Sequence, residues 1–316
     1  MAVTREVLVL RALGIGDLLV AVPALRGLRR AFPADHLVLA APASLAELVP
    51  LTGAVDELLP TPGLGALRWR RDRPKVAVNL HGSGPESIAD LRATRPDRLV
   101  THRHHDLPDV AGPRWPDGGH EVDRWCRLLD AHGIAADPGD LALHRPASPS
   151  PAPGAVVIHP GAAFPARRWP PARFAEVART FAAGGHRVVI TGSEAEHELA
   201  TQVAIEAALP LRDVLAGGTG LAELAALVAD AALVVCGDTG VGHLATAYGT
   251  PSVVLFGPTP PARWGPPPGR PQHRPLWTGR VGDPFGPVPD PGLLALSAQD
   301  VLAAVPPVPV GGSRHG

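Results

Sequence analysis

The densest cluster of residues able to do chemistry lies at positions 237–243, directly after a short apolar run. Asp238 offers a carboxylate, Thr239 offers a hydroxyl, Gly240 allows the backbone to approach a ligand closely, and His243 follows in the first turn of a predicted helix. Free backbone N–H groups and the helix dipole both favour an anion at such a turn. The pattern predicts a diphosphate site. An ordinary turn capped by the aspartate is the alternative.

A second turn follows another apolar run and spans residues 159–170. It contains Gly161 and delivers two adjacent arginines, Arg167 and Arg168, beside Trp169. The guanidinium group suits phosphate because its N–H groups form a bidentate fork. These residues predict a second part of an anion site, and a solvated arginine pair with Trp169 as a packing anchor is the alternative.

Two acidic residues lie at the starts of further predicted helices. Asp17 ends the turn at residues 14–17, where a carboxylate would repel a phosphate and suits a general base better. An N-cap is the structural alternative for Asp17. Glu194 could bind ribose hydroxyls, or it could simply favour its helix N-terminus.

The remaining motifs are weaker evidence of a functional site. Four residues of one loop resemble a metal-binding tract, but a solvated loop is the favoured interpretation, and no metal is expected: His102, His104, His105 and Asp106. Cys236 lies in an apolar run and is predicted to be an inert core thiol, and Cys126 has no obvious activating base. The glycine fingerprint of a dinucleotide site is absent after the first strand, which argues against hydride transfer.

Short aliphatic runs alternate with amphipathic stretches along the chain, which predicts an α/β protein with parallel sheets covered by helices. The predicted strands are 7–10, 36–41, 76–80, 98–101, 155–159, 187–191, 232–236 and 252–256. The predicted helices after the first half are 173–183, 194–208, 221–229, 241–248 and a last one at 297–305 capped by Ser297. A Pro- and Ser-rich stretch at 146–153 indicates a boundary between Rossmann-like domains at residues 1–150 and 151–316. Residues 258–291 carry few regular signals, and residues 306–316 are predicted to be disordered.

Composition narrows the class of protein. The chain has 316 residues, 45% of them hydrophobic, which is enough for about two ordinary domains. The 29 basic and 30 acidic residues nearly balance, which argues against a nucleic-acid-binding protein. Two cysteines cannot form a disulfide framework, and no apolar run approaches the length of a membrane span. We therefore expect a cytoplasmic protein without a transmembrane segment.

Together these motifs resemble glycosyltransferase family nine, the heptosyltransferase-like enzymes. The resemblance rests on four segments in this order: Gly16-Asp17 with Pro23-Ala24-Leu25-Arg26; His159-Pro160-Gly161 with Arg167-Arg168-Trp169-Pro170; Thr191-Gly192-Ser193-Glu194; and Asp238-Thr239-Gly240 with His243 and Phe256-Gly257-Pro258-Thr259. It extends over nearly the whole chain. Each segment alone is weak, and their order makes the combination specific.

The resemblance implies a GT-B architecture of two facing Rossmann-like domains, the first for an acceptor and the second for a nucleotide sugar, commonly ADP-heptose. It implies an inverting transfer that needs no metal or other cofactor. Asp17 would be the general base and Arg167 would assist catalysis at the leaving group. The remaining donor-binding residues would be Gly161, Arg168, Glu194, Asp238, Thr239, Gly240 and His243.

One position departs from the family, which usually has lysine where this chain has Arg167; Arg168 is an alternative for that role. The acceptor would be a glycan or a small molecule such as a secondary metabolite, and a lipid-linked acceptor would bring the enzyme to a membrane surface. A nucleotide-sugar 2-epimerase and a catalytically silent nucleotide-sugar-binding protein are the competing functions.

Overall fold

The computed structural model describes residues 5–307 and divides the chain into two compact units, Met1–His144 and Arg145–Gly316. From the sequence, the boundary was expected at residue 150, within the Pro- and Ser-rich stretch. Part of the predicted disordered tail, residues 308–316, lies outside the described residues.

Unit 1 is built around a parallel sheet whose strands are aliphatic and mostly buried, as expected when helices cover a sheet. Its elements are β1 (Glu6–Leu10), α1 (Ile15–Ala31), β2 (His36–Ala41), β3 (Glu57–Pro60), β4 (Val76–Asn79), α2 (Pro85–Ala93), β5 (Arg98–Val100) and α3 (Glu121–Ala131). The strand order is β3-β2-β1-β4-β5, and every pair is parallel. The order reverses between β1 and β4, where open α/β sheets bind ligands beyond the carboxyl ends of their strands.

Unit 2 repeats this organisation with a different strand order. Its elements are β6 (Val156–His159), α4 (Pro171–Ala183), β7 (Val188–Ile190), α5 (His197–Glu206), α6 (Leu221–Asp230), β8 (Leu233–Gly237), α7 (Gly240–Tyr248), β9 (Ser252–Leu255), α8 (Pro261–Trp264), β10 (His273–Leu276), α9 (Pro291–Leu294) and α10 (Ala298–Ala304). The strands are parallel in the order β10-β9-β8-β6-β7, so the reversal lies between β6 and β8.

Most predicted elements are present with ends that differ by one or two residues, and Ser297 caps α10 by accepting a hydrogen bond from the backbone N–H of Asp300. The sequence analysis missed β3, α2, α8, β10 and α9. The predicted helix at 194–208 is divided: a 3₁₀ turn covers Glu194–Glu196, and α5 begins only at His197. Residues 258–291 are therefore more regular than expected, since β10 extends the second sheet there.

Candidate functional site

The turn after β8 places several predicted site residues at the start of α7. Thr239 is the N-cap residue, with extended backbone angles, and Gly240 is the first residue of this nine-residue helix. The Thr239 side chain makes no capping hydrogen bond. First-turn N–H groups of a helix have no partner within that helix, so the start of α7 can donate hydrogen bonds to an anion.

Arg167 lies close to this turn. Its carbonyl oxygen is 3.1 Å from the point where a Cβ atom on Gly237 would lie, so glycine allows the two backbones to approach. The Arg167 Nε is buried and has no hydrogen-bond partner among residues 5–307, and the guanidinium carbon is 5.3 Å from the centre of the Phe164 ring. Phe164 in turn packs edge-on against Phe285, with ring centres 4.9 Å apart. A buried donor without an acceptor in the described part of the chain fits a ligand-binding role.

Asp238 is the acidic group of this site. Burial raises the pKa of its carboxyl to about 6, and the Arg167 charge acts in the opposite direction. Arg167 is therefore the arginine whose charge acts on Asp238. An anionic carboxylate would repel a diphosphate, whereas the protonated form could donate a hydrogen bond to it.

His243 and Trp264 pack beside Asp238. Their rings meet nearly edge-on, with centres 6.0 Å apart, and both line a cavity of about 10 Å³ that Asp238 and Thr239 also line. This volume is close to the minimum for one water molecule. Sequence reasoning singled out His243 but not Trp264, which lies in the proline-rich segment.

Gly161 lies beyond the end of β6, on the other side of the strand reversal. A Cβ atom there would be 2.2 Å from Glu196 Oε1, so the Glu196 carboxylate occupies the space directly over Gly161. Glu196 Oε2 accepts hydrogen bonds of 2.8 Å from both the backbone N–H and the hydroxyl of Ser193. Burial lowers the pKa of His159, and the nearby Glu196 charge opposes this shift.

The two remaining donor-site predictions have different surroundings. The Glu194 side chain is exposed, and its Cα is 3.0 Å from the point where a Cβ on Gly217 would lie. Arg168 is also exposed, and its Nε donates to the Ala162 carbonyl at 2.9 Å. Sequence reasoning missed Glu196. The signal available was the serine-to-glutamate spacing of a capping box, which starts at Ser193.

Trp169 has the structural role that was its alternative. It is 1% exposed, packs edge-on against Phe174 at 4.9 Å between ring centres, and donates from Nε1 to the Leu296 carbonyl at 3.0 Å. This contact fixes the segment after Arg168 to the chain near α10.

Unit 1 contains the predicted base, Asp17, near the reversal between β1 and β4. The expectation that Asp17 occupies the N-cap position is wrong: Gly14 is the N-cap residue, and Asp17 lies within the first turn of α1. Its side chain is 29% exposed and forms an ion pair with Arg11, at 3.2 Å between Oδ1 and Nη2. Sequence reasoning missed Arg11, which follows β1 directly.

His81 follows β4 and lies near the same ion pair. Its Nδ1 is buried and has no hydrogen-bond partner in the described part of the chain. Burial lowers the pKa of His81; the Arg11 charge lowers it further and the Asp17 charge opposes the shift. An imidazole with a lowered pKa is neutral at neutral pH, so it can donate one hydrogen bond and accept another.

The histidine-rich loop after β5 is only partly solvated. The expectation of a solvated position is wrong for His102, which is 3% exposed and packs against Trp115 and Trp125 with ring centres 5.0 and 6.3 Å away. Burial lowers the pKa of His102 to about 4. The possible ligand atoms of three residues lie within 4.8 Å of one another: His104, His105 and Asp106. The last two side chains are 84% and 60% exposed.

Comparison with known proteins identifies the family. Residues 117–276 match the sequence profile of glycosyltransferase family 9 (heptosyltransferase), which is half of the chain. The chain belongs to this family. It is 28% identical over 304 residues to lipopolysaccharide heptosyltransferase 2 of Escherichia coli strain K12, an alignment that covers 81% of this chain and 84% of the relative. It is also 28% identical over 296 residues to lipopolysaccharide heptosyltransferase 1 of Pseudomonas aeruginosa, covering 81% and 79%.

Solved structures show the same fold. A family 9 glycosyltransferase from Veillonella parvula superposes with a TM-score of 0.77 at 21% identity, covering 96% of this chain and 97% of the other. The E. coli ADP-heptose lipopolysaccharide heptosyltransferase II superposes with a TM-score of 0.75 at 23% identity, covering 95% and 97%. The predicted GT-B fold class of two α/β domains with parallel sheets is thus confirmed, as is the prediction of a glycosyltransferase.

No helix among residues 5–307 is both long enough and apolar enough to cross a bilayer.

Proposed function

We propose that this glycosyltransferase moves a heptose from ADP-heptose to a hydroxyl group of a glycan or a secondary metabolite. The observation that carries the proposal is the buried Nε of Arg167, which lies beside Asp238 at the start of α7 and has no hydrogen-bond partner within residues 5–307, in a chain of family 9. A nucleoside diphosphate supplies oxygen acceptors for this buried donor. The relatives from E. coli and P. aeruginosa are named lipopolysaccharide heptosyltransferases, and this name supports a heptose donor.

We assign the diphosphate to the start of α7. The backbone N–H groups at the start of α7 donate to its oxygens, together with the buried hydroxyl of Thr239. Arg167 supplies the positive charge and His243 supplies a further donor, whereas Asp238, whose pKa is raised to about 6, donates only in the minor fraction that is protonated at neutral pH. Arg168 is adjacent to Arg167 and exposed, so it adds an electrostatic attraction for the diphosphate that salt screens.

We assign the ribose and the sugar to the neighbouring strand ends. The exposed Glu194 carboxylate accepts from the ribose hydroxyls, and the backbone near Gly161 lies against the transferred sugar. The Glu196 carboxylate over Gly161 is an additional acceptor for a sugar hydroxyl.

The reaction is a single displacement with inversion. The acceptor oxygen attacks the anomeric carbon while the bond from that carbon to the diphosphate oxygen breaks, and the electron pair of this bond goes to the diphosphate. Asp17 takes the proton of the acceptor hydroxyl. Charge that builds on the leaving diphosphate is stabilised by Arg167 and by the N–H groups of α7, so we propose that no metal ion is needed. A positioned base contributes about 10²- to 10⁴-fold in rate.

Peripheral contact with a membrane follows if the acceptor is lipid-linked. A reducing cytoplasm suits Cys126 and Cys236, which are both unpaired and buried.

Calorimetric titration of the purified protein with ADP, UDP and GDP tests the donor assignment, and ADP is expected to bind most tightly. The purified protein is next incubated with ADP-heptose and candidate acceptors in the presence of EDTA. Release of ADP that depends on the acceptor, with an inverted anomeric product by NMR, supports the proposal. Preference for UDP, loss of activity with EDTA, or epimerisation of the donor without transfer contradicts it.

Asp17→Asn tests the base within the same assay. It keeps the size of the side chain and removes the proton acceptor, so turnover is expected to fall by about 10²- to 10⁴-fold with ADP affinity unchanged. Full turnover in this variant would contradict the assignment of the base.

A further inference from the structure

Arg11 is an interior arginine at the carboxyl edge of the first sheet. It directly follows the buried strand β1 and is only 1% exposed, although its side chain is charged. Its Nη1 donates to the Leu80 carbonyl, and its Nε donates to the Asp17 carbonyl. Its Nη2 donates to Asp17 Oδ1 at 3.2 Å. Two of its three nitrogens are therefore directed at the one residue assigned as the base.

The environment of Arg11 holds the guanidinium in a fixed position. Its central carbon is 4.9 Å from the centre of the buried Trp125 ring, which provides a flat surface for the guanidinium. Burial lowers the pKa of Arg11, while the Asp17 charge raises it. Arginine remains charged in proteins, so a buried one is stable only where its N–H groups are paired. Leu80 lies 69 residues from Arg11 in sequence, so the pairing depends on the fold.

Asp17 has the opposite character. Its side chain is 29% exposed and lies in the first turn of α1, so burial restricts its rotation less than it restricts that of Arg11. A general base must lie within hydrogen-bond distance of the proton that it takes. The bond from Arg11 to Oδ1 restricts this rotation and leaves Oδ2 for another partner.

We propose that Arg11 is a positioning residue, which holds the Asp17 carboxylate in the orientation that accepts the proton of the acceptor hydroxyl. This inference rests on the proposed role of Asp17 as the base. Arg11 contacts neither substrate and acts only through Asp17. Misplacing a catalytic group by about 1 Å costs up to about 10²-fold in rate, which sets the scale of the expected effect.

The test compares Arg11→Met and Arg11→Lys with a matched control, Arg26→Met. Arg26 lies on α1, is partly buried, and has the same kinds of partner: it donates to the Thr52 carbonyl at 2.8 Å, to the Ala142 carbonyl and to the Asp140 carboxylate. It therefore reports the effect of losing an equivalent set of structural hydrogen bonds. Melting temperature is measured for every variant, and Arg11→Lys keeps the test valid if Arg11→Met does not fold.

Arg11→Met is expected to lower kcat by about 10- to 100-fold with the Kd for ADP unchanged. Arg11→Lys should recover part of this loss, because an ammonium group can still donate to Asp17 although it lacks the planar fork. Arg26→Met should leave kcat unchanged. Unchanged kcat in both Arg11 variants, or an equal loss in Arg26→Met, would overturn the proposal.

The double variant Arg11→Met/Asp17→Asn separates positioning from a general structural role. If Arg11 acts only through Asp17, adding Arg11→Met to Asp17→Asn causes no further loss of kcat. A further loss as large as in the parent would overturn the positioning role and leave the base assignment intact. If Asp17→Asn alone retains full turnover, the base assignment itself is wrong.

Discussion

Replacing Arg167 by methionine should weaken the binding of ADP and leave the fold intact. Methionine keeps an unbranched apolar stem and removes the charge beside Asp238. Because the Arg167 Nε has no hydrogen-bond partner among the described residues, that donor loses no protein bond in the unliganded enzyme. A hydrogen bond to a charged group contributes about 1.5–3 kcal/mol. At about 1.4 kcal/mol per factor of ten, the loss of one such bond weakens ADP binding about 10- to 150-fold.

Calorimetry at fixed ionic strength measures this change, and Arg168→Met is the matched control. Arg168 is the adjacent arginine in the same turn, but it is exposed and its Nε already donates to the Ala162 carbonyl. The control should therefore weaken binding only slightly, and that small effect should disappear at high salt because exposed charges are screened.

Two results would refute this reasoning. Equal affinity of Arg167→Met and the parent for ADP would show that Arg167 does not bind the diphosphate. A larger loss in Arg168→Met than in Arg167→Met would assign the role to the exposed arginine. A thermal melt of each variant without ligand excludes unfolding as the cause of either result.

Three further predictions concern stability. Because the pKa of Asp238 is raised from 3.8 to about 6, the folded protein binds more protons than the unfolded chain between these values, and this contribution to stability falls as pH rises. The free energy of unfolding of Asp238→Asn should therefore exceed that of the parent by on the order of 3 kcal/mol at pH 8, with no gain at pH 3.5. The pKa of His102 is lowered from 6.5 to about 4, so the unfolded chain binds the extra proton and stability falls as pH drops through this range; melts of His102→Phe should show a weaker fall than the parent. Trp169→Phe removes the hydrogen bond to Leu296 and should lower the free energy of unfolding in urea by about 1 kcal/mol. An unfolding curve that matches the parent's for any of these variants would contradict the pKa shift or hydrogen bond on which its prediction rests.

The periodicity of the sequence predicted the alternation of strands and helices because buried parallel strands are continuous aliphatic runs. It failed for β3, whose four residues are all partly or fully exposed, and for β10, which contains Arg274 and Pro275. Both are at edges of their sheets, where only one neighbouring strand imposes packing. Edge strands tolerate charged residues and proline, so their sequences resemble loops.

The residue types of the anion site were also predictable, because a turn that receives a phosphate needs small residues and donors at fixed positions. The choice between Arg167 and Arg168 was not. It depends on which side chain is directed toward Asp238, and the two differ in backbone conformation, since Arg167 ends a 3₁₀ turn and Arg168 is extended. In the structure the Arg167 charge acts on Asp238, while the Arg168 Nε bonds within its own loop.

Arg11 and Glu196 escaped the sequence analysis for a common reason. Arg11 donates to the carbonyl after β4, and Glu196 covers the glycine after β6, so each joins segments distant in sequence. Arg11 joins the ends of β1 and β4 at the strand reversal of the first sheet, whereas Glu196, which follows β7, joins the ends of the neighbouring strands β7 and β6 in the second. Motif spacing describes residues within one turn, whereas these contacts depend on strand order. Strand order shows which loops lie side by side at the end of a sheet. Knowing it would therefore allow the residues that hold the catalytic and binding groups in place to be predicted from a sequence of this family.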